Sequence, residues 1–160
     1  NYTTMVDSDT RRIKRSIVFN ANSFKFCDEE LLKRFKKIDL ISSYIQIKED
    51  ELKESNQSVV NKDFIINGRQ LTNIGVFRIY AENYLMSRAD VSKTDKLVVR
   101  QKEQTLEGMP LEIYCFTTTS DFLTYERTQS DIFDHLISAS KEFDLEISQP
   151  FLIHQRNDKT

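Results

Sequence analysis

The sequence predicts an α+β domain. Apolar residues alternate with a period of two in Arg11 to Ala21, Lys96 to Lys102 and Pro110 to Thr119, and recur every three to four residues after Asp28, Thr72 and Asp121. The 160 residues, 39% hydrophobic and 11% aromatic, suffice for one domain with a sizeable core and are too few for two large ones.

Taken in order, Ile13, Ile17, Phe19 and Ala21 lie on one side of a first strand, with Lys14, Ser16 and Asn20 on the other. Asp28, Glu29 and Glu30 then open a long helix. Its Leu31, Phe35, Ile38, Ile41, Ile45 and Leu52 form the stripe, and its acids stand at the positive end of the dipole. The polar stretch from Ser55 to Lys62 ends it. Phe64, Ile65 and Ile66 running into Asn67-Gly68 are an apolar run meeting a type I′ turn signal, which predicts a small hairpin. Thr72 caps a second helix with Ile74, Phe77, Ala81, Tyr84 and Leu85 on one face, slightly weakened by Gly75. Leu97 to Val99 and Leu111 to Phe116 read as two antiparallel strands joined by a turn at Glu107, Gly108 and Met109. Asp121 caps the clearest helix, striped by Phe122, Tyr125, Gln129, Ile132, Leu136 and Phe143. Leu145 and Ile147 before Pro150 read as a last short strand, followed by apolar Phe151 to Ile153 and a polar tail. The order β, α, hairpin, α, β, β, α, β is a split βαβ pattern, ferredoxin-like, with an extra helix and hairpin inserted in the first crossover.

Charge and motifs exclude more than they assign. Twenty-three basic against 25 acidic residues give a net charge of −2, so no whole-chain field attracts nucleic acid or anionic lipid. Three Gly leave no glycine-rich phosphate cradle. The longest uncharged apolar stretch, Leu40 to Ile47, is eight residues, far below the roughly eighteen that would cross a bilayer. No initiator Met or charged-then-apolar leader precedes Asn1, so the chain reads as a piece of something longer.

Cys27 and Cys115 lack CxxC spacing, and with only His135 and His154 beside them no metal or cofactor is expected. Cys27 stands before a helix start, where the dipole favours a thiolate, but the charge of Asp28 opposes one; it reads as a small apolar residue, as does Cys115. Asp131 and His135 share a helix face and could form the orienting half of a triad. Ser130 and Ser138 nearby lack a nucleophile elbow, so the pair reads as a solvent-facing helix contact and the chain as no enzyme. Arg11, Arg12, Lys14 and Arg15 put four cations in five positions. On a strand Arg12 and Lys14 face one side and Arg11 and Arg15 the other. With no aromatics interleaved, they suggest a solvated edge or a subunit contact rather than a nucleic-acid site.

These residues resemble a family. Asn1-Tyr2, Met5 and Arg11-Arg12-Ile13-Lys14-Arg15-Ser16 resemble the segment where the small β domain of small-conductance mechanosensitive channels passes into their cytoplasmic α/β domain. Phe26-Cys27-Asp28-Glu29-Glu30, Asn67-Gly68-Arg69, Thr72 to Arg78 with Tyr80, Leu97 to Gln101 and Gly108 to Tyr114 resemble the larger, YbdG-like branch. So do Phe116, Thr117, Tyr125, Glu126, Gln129, Asp131 to His135 and Glu142-Phe143. The likeness spans nearly the whole chain.

The resemblance implies the cytoplasmic cage of a homoheptameric, tension-opened channel of the inner membrane, which releases ions and small osmolytes in hypo-osmotic shock. Residues 1–12 would end the upper β domain, 13–150 form the cytoplasmic α/β domain and 151–160 the C-terminal strand and tail, with Phe151 and Leu152 in an axial barrel. The membrane helices of such channels are not in this sequence. Self-association would close a ring through heterologous contacts, with Arg11, Arg12, Lys14 and Arg15 near a subunit boundary or vestibule opening. A regulatory small-molecule-binding module of ferredoxin-like fold is the alternative, and a hydrolase using Asp131 and His135 the weakest.

Overall fold

A computed structural model describes residues 9–149. It is an α+β structure. Three antiparallel strands, β1 (Arg11–Phe19), β2 (Val98–Gln101) and β3 (Met109–Thr117), form a sheet in the order β1-β3-β2. The register sets Arg11 opposite Thr117 and Phe19 opposite Met109, with Val98 opposite Tyr114 on the other side of β3. Because side chains alternate along a strand, Ile13, Ile17 and Phe19 join Leu111, Ile113 and Cys115 in the core. Arg12, Lys14, Arg100, Glu112 and Tyr114 fall on the other, polar face.

Four helices complete the domain: α1 (Glu29–Phe35), α2 (Ser42–Ser55), α3 (Asn73–Ser87) and α4 (Phe122–Ser140). Asp28, Thr72 and Asp121 cap α1, α3 and α4 by accepting from the amides of Leu31, Gly75 and Thr124, which satisfies donors the first turn leaves free. An aromatic cluster ties the elements together. Phe77 of α3 meets Phe19 of β1 edge-on at 5.8 Å and Phe143 at 5.2 Å, and Phe143 lies 4.9 Å from Phe35 of α1. Each of these rings is fully buried, and burying such a side chain is worth about 2 kcal/mol.

Three expectations are corrected. The long first helix breaks after Phe35. Ile38 is extended (φ −87°, ψ 112°) and a 3-10 turn, Asp39–Ile41, leads into α2. Asn83 of α3 donates to the Leu40 carbonyl at 2.9 Å, satisfying backbone that the break exposes. Ile41 and Ile45 thereby reach the core.

The expected hairpin is a single 3-10 turn, Ile65–Asn67. Gly68 has a negative φ of −116°, so no type I′ turn forms. The Asn56 side chain holds Arg69 through both its N–H and its C=O, and a β-carbon on Gly68 would lie 2.7 Å from Asn56.

The last strand shrinks to one antiparallel bridge, Phe19 to Ile147, flanked by hydrogen bonds from Asn20 N to Glu146 O and from Ser148 N to Val18 O. Gly108, at φ +141° in the β2–β3 turn, lies against this bridge. A β-carbon there would meet the Phe19 carbonyl at 2.5 Å, so only glycine fits.

Candidate functional site

The four N-terminal cations divide between the two faces of β1, as the alternation predicts. Arg11 lies 4.6 Å from the centre of the Tyr125 ring and 5.4 Å from that of Phe122, and Arg15 lies 4.4 Å above Phe133, all three rings on α4. Tyr125 Oη donates to the Arg12 carbonyl at 2.7 Å. Arg12 and Lys14 point to the polar face, where Arg12 is 5.9 Å from the Tyr114 ring. Three of the four cations thus lie against aromatic rings that the sequence around them does not contain. The rings come from β3 and α4, about a hundred residues downstream, and no local pattern could reveal them. Phe151 and Leu152 lie outside the described residues.

On the polar face, Glu112 is the centre. Its side chain is 6% exposed, and it receives Arg100 Nε at 3.0 Å and Lys102 Nζ at 3.5 Å on its two oxygens. Burial alone would raise its pKa. The Arg100 hydrogen bond and the charges of Lys102 and Arg100 outweigh this and hold it below the usual carboxylate value. Lys96, Val98, Arg100, Glu112 and Tyr114 line a cleft of about 230 Å³ beside it. The sequence reading missed this group: period-two alternation puts Glu112 and Tyr114 on one side of β3, but only the β2–β3 register sets Arg100 opposite Glu112.

The helix pair Asp131 and His135 does not form. His135 instead stacks on Tyr84 with ring centroids 3.9 Å apart and planes within 1°. Its Nε2 shares a 2.6 Å hydrogen bond with Tyr80 Oη. Arg88 donates to Tyr84 Oη at 2.7 Å and grips Asp90 with two bonds of 2.8 Å. Burial and the positive charge of Arg88 depress the His135 pKa, which favours the neutral imidazole. Burial, reinforced by Tyr84, raises that of Tyr80, which therefore keeps its proton. Ser130 and Ser138 are exposed, and neither is hydrogen-bonded to His135. This arrangement locks two helices together and presents no activated nucleophile.

Cys27 and Cys115 are fully buried and free. Burial, with Asp28 adding to it at Cys27 and Asp90 at Cys115, pushes both thiols up to about 12, the reverse of what a reactive cysteine needs. Among the described residues, no group of three or more His, Cys, Asp or Glu is placed to hold a metal ion. Within the same residues, no helix is long and apolar enough to cross a membrane.

The fold and these surfaces define an α+β domain whose polar groups are mostly spent on structure. No protein-family model matches the chain.

Proposed function

We propose that this chain is the cytoplasmic cage domain of a tension-gated, small-conductance mechanosensitive channel, working by self-association and not by catalysis. The resemblance laid out from Asn1 to Phe143 motivates the reading. The observation that carries it is apolar surface left uncovered: Val60 and Leu106 are 99% exposed, and Phe64, Ile66, Phe122 and Leu123 all exceed half. Phe64 to Ile66 and Phe122 with Leu123 are exposed as runs of neighbours, and contiguous exposed apolar surface marks contacts with other chains. In a ring, identical neighbours would cover them, with Arg11, 5.4 Å from the Phe122 ring, at the rim of the Phe122 and Leu123 patch.

The sheet supports a ferredoxin-like reading of the fold. β1 and β2 run parallel on either side of antiparallel β3, and the Phe19–Ile147 bridge stands where a fourth strand would lie beside β1. The segment from Asp39 to Gly68 is then an insertion in the first crossover.

The test is the complete gene. Hydrophobic helices encoded upstream of Asn1, together with tension-gated currents in patches of membrane expressing the full protein, are the expected result. A start codon immediately upstream, or a full-length protein that is monomeric and carries no current, overturns the reading.

A further inference from the structure

We propose that the polar face of the sheet binds a compact, doubly charged anion, a small dicarboxylate or a phosphomonoester, in the cleft between Lys96 and Tyr114. Two cations, Lys96 and Arg100, line it; Lys102 reaches Glu112 from the end of β2, and Arg12 and Lys14 stand on the same face of the sheet on β1. The one acid on this face of the three strands is Glu112, whose two oxygens are already taken by Arg100 and Lys102. Arg12, Lys14 and Lys96 have no carboxylate partner within ion-pair distance among the described residues. In a chain of net charge −2, such a local excess of one sign repels itself and raises the local concentration of counter-ions.

The cleft gives that field a shape. Arg100 spends only its Nε on Glu112, so the terminal nitrogens of its guanidinium remain as a fork for a carboxylate or phosphate. Lys96 adds a second positive charge to the lining, and Val98 and Tyr114 supply the apolar wall. Size narrows the occupant. About 230 Å³ lies below the roughly 300–1,000 Å³ typical of sites for drug-sized ligands, which favours a few-carbon acid or a single phosphate over a whole nucleotide. Glu112 has a positioning role: it fixes Arg100 and Lys102 in place, and its own charge keeps the site from holding a highly charged anion. The inference goes beyond the channel reading and does not depend on it.

The test is a titration of the 160-residue chain with inorganic phosphate and with succinate at constant ionic strength, sodium chloride being the reference. Amide shifts of residues 96–100 and 112–114 are read by NMR. Saturable shifts absent in chloride are expected, and saturation by one anion alone names its source. Lys96→Ala leaves both Glu112 pairs intact and should weaken binding at least about fivefold, as losing one charge-assisted contact does. Lys33→Ala on α1 should leave it unchanged. Shifts that grow linearly, that match those in chloride, or that survive Lys96→Ala overturn the proposal. So does a single-stranded oligonucleotide that saturates the same amides while phosphate and succinate do not.

Discussion

Asn73 shows how much one side chain can hold. Fully buried, it accepts from the amides of Lys25 and Ile74 and donates to the carbonyls of Ser23 and Phe143, four bonds of 2.9 to 3.0 Å. Asn73→Ala strands buried partners, so we expect a loss of about 2–3 kcal/mol, read as a lower urea midpoint with unchanged slope. His135 gives a pH dependence of definite sign. Its folded pKa is depressed by burial and Arg88, so the unfolded chain binds the proton more readily. The stability tied to its neutral form is complete above the ordinary histidine value, and it drains away as pH falls through that value to the folded one. Urea midpoints between pH 7.5 and 5.5 should decline in the native chain and decline less in His135→Gln. The two buried thiols should react with a disulfide reagent only as fast as the protein unfolds; rapid labelling of Cys27 in the native state would contradict its placement. Sequence reading identified both cysteines as apolar residues. It did not single out Asn73, because the partners of a buried amide lie 48 and 70 positions away.

Among the elements, those with strong local signals were legible. The helix start at Asp28, the caps at Thr72 and Asp121 and the strands around Ile13 and Ile113 follow from residue type and period. Removing the Thr72 hydroxyl in Thr72→Ala should cost about 1 kcal/mol, with circular dichroism reporting earlier melting. The failures share one cause, tertiary partners overriding local pattern. The helical stripe from Leu31 to Leu52 continues through Ile38 in sequence, yet Asn83 stabilises a break there. The Asn-Gly signal at Asn67-Gly68 lost to the Asn56 clamp on Arg69, with Asn67 itself drawn to the Asn61 carbonyl. Asn83→Ala should loosen the α1–α2 junction, visible as faster amide exchange in residues 38–42 with little change in β3.

At the scale of the whole molecule, the exposed apolar surface at Phe122 and Leu123 bears on assembly. If it serves self-association, the double variant Phe122→Ser and Leu123→Ser should lower the sedimentation coefficient of the full protein's assembly without changing the melting temperature of the domain; an unchanged assembly would exclude this patch as a contact. The candidate surfaces were half legible. The cation cluster is plain in the sequence, but its aromatic partners and the Glu112 cleft exist only once β1 and β2 flank β3. The same sheet also fixes how mechanical load would pass through the domain. Along β1 a pull from residue 11 is borne in shear by nine paired positions of β3, whereas a pull from residue 149 peels open one bridge, its two flanking bonds and the bonds from Glu146 N to Ser23 Oγ and from Ser148 Oγ to the Glu107 carbonyl. Stretched between its ends, the domain yields first at the Ile147 rim, detaching the segment after Asp144 while the sheet stays whole.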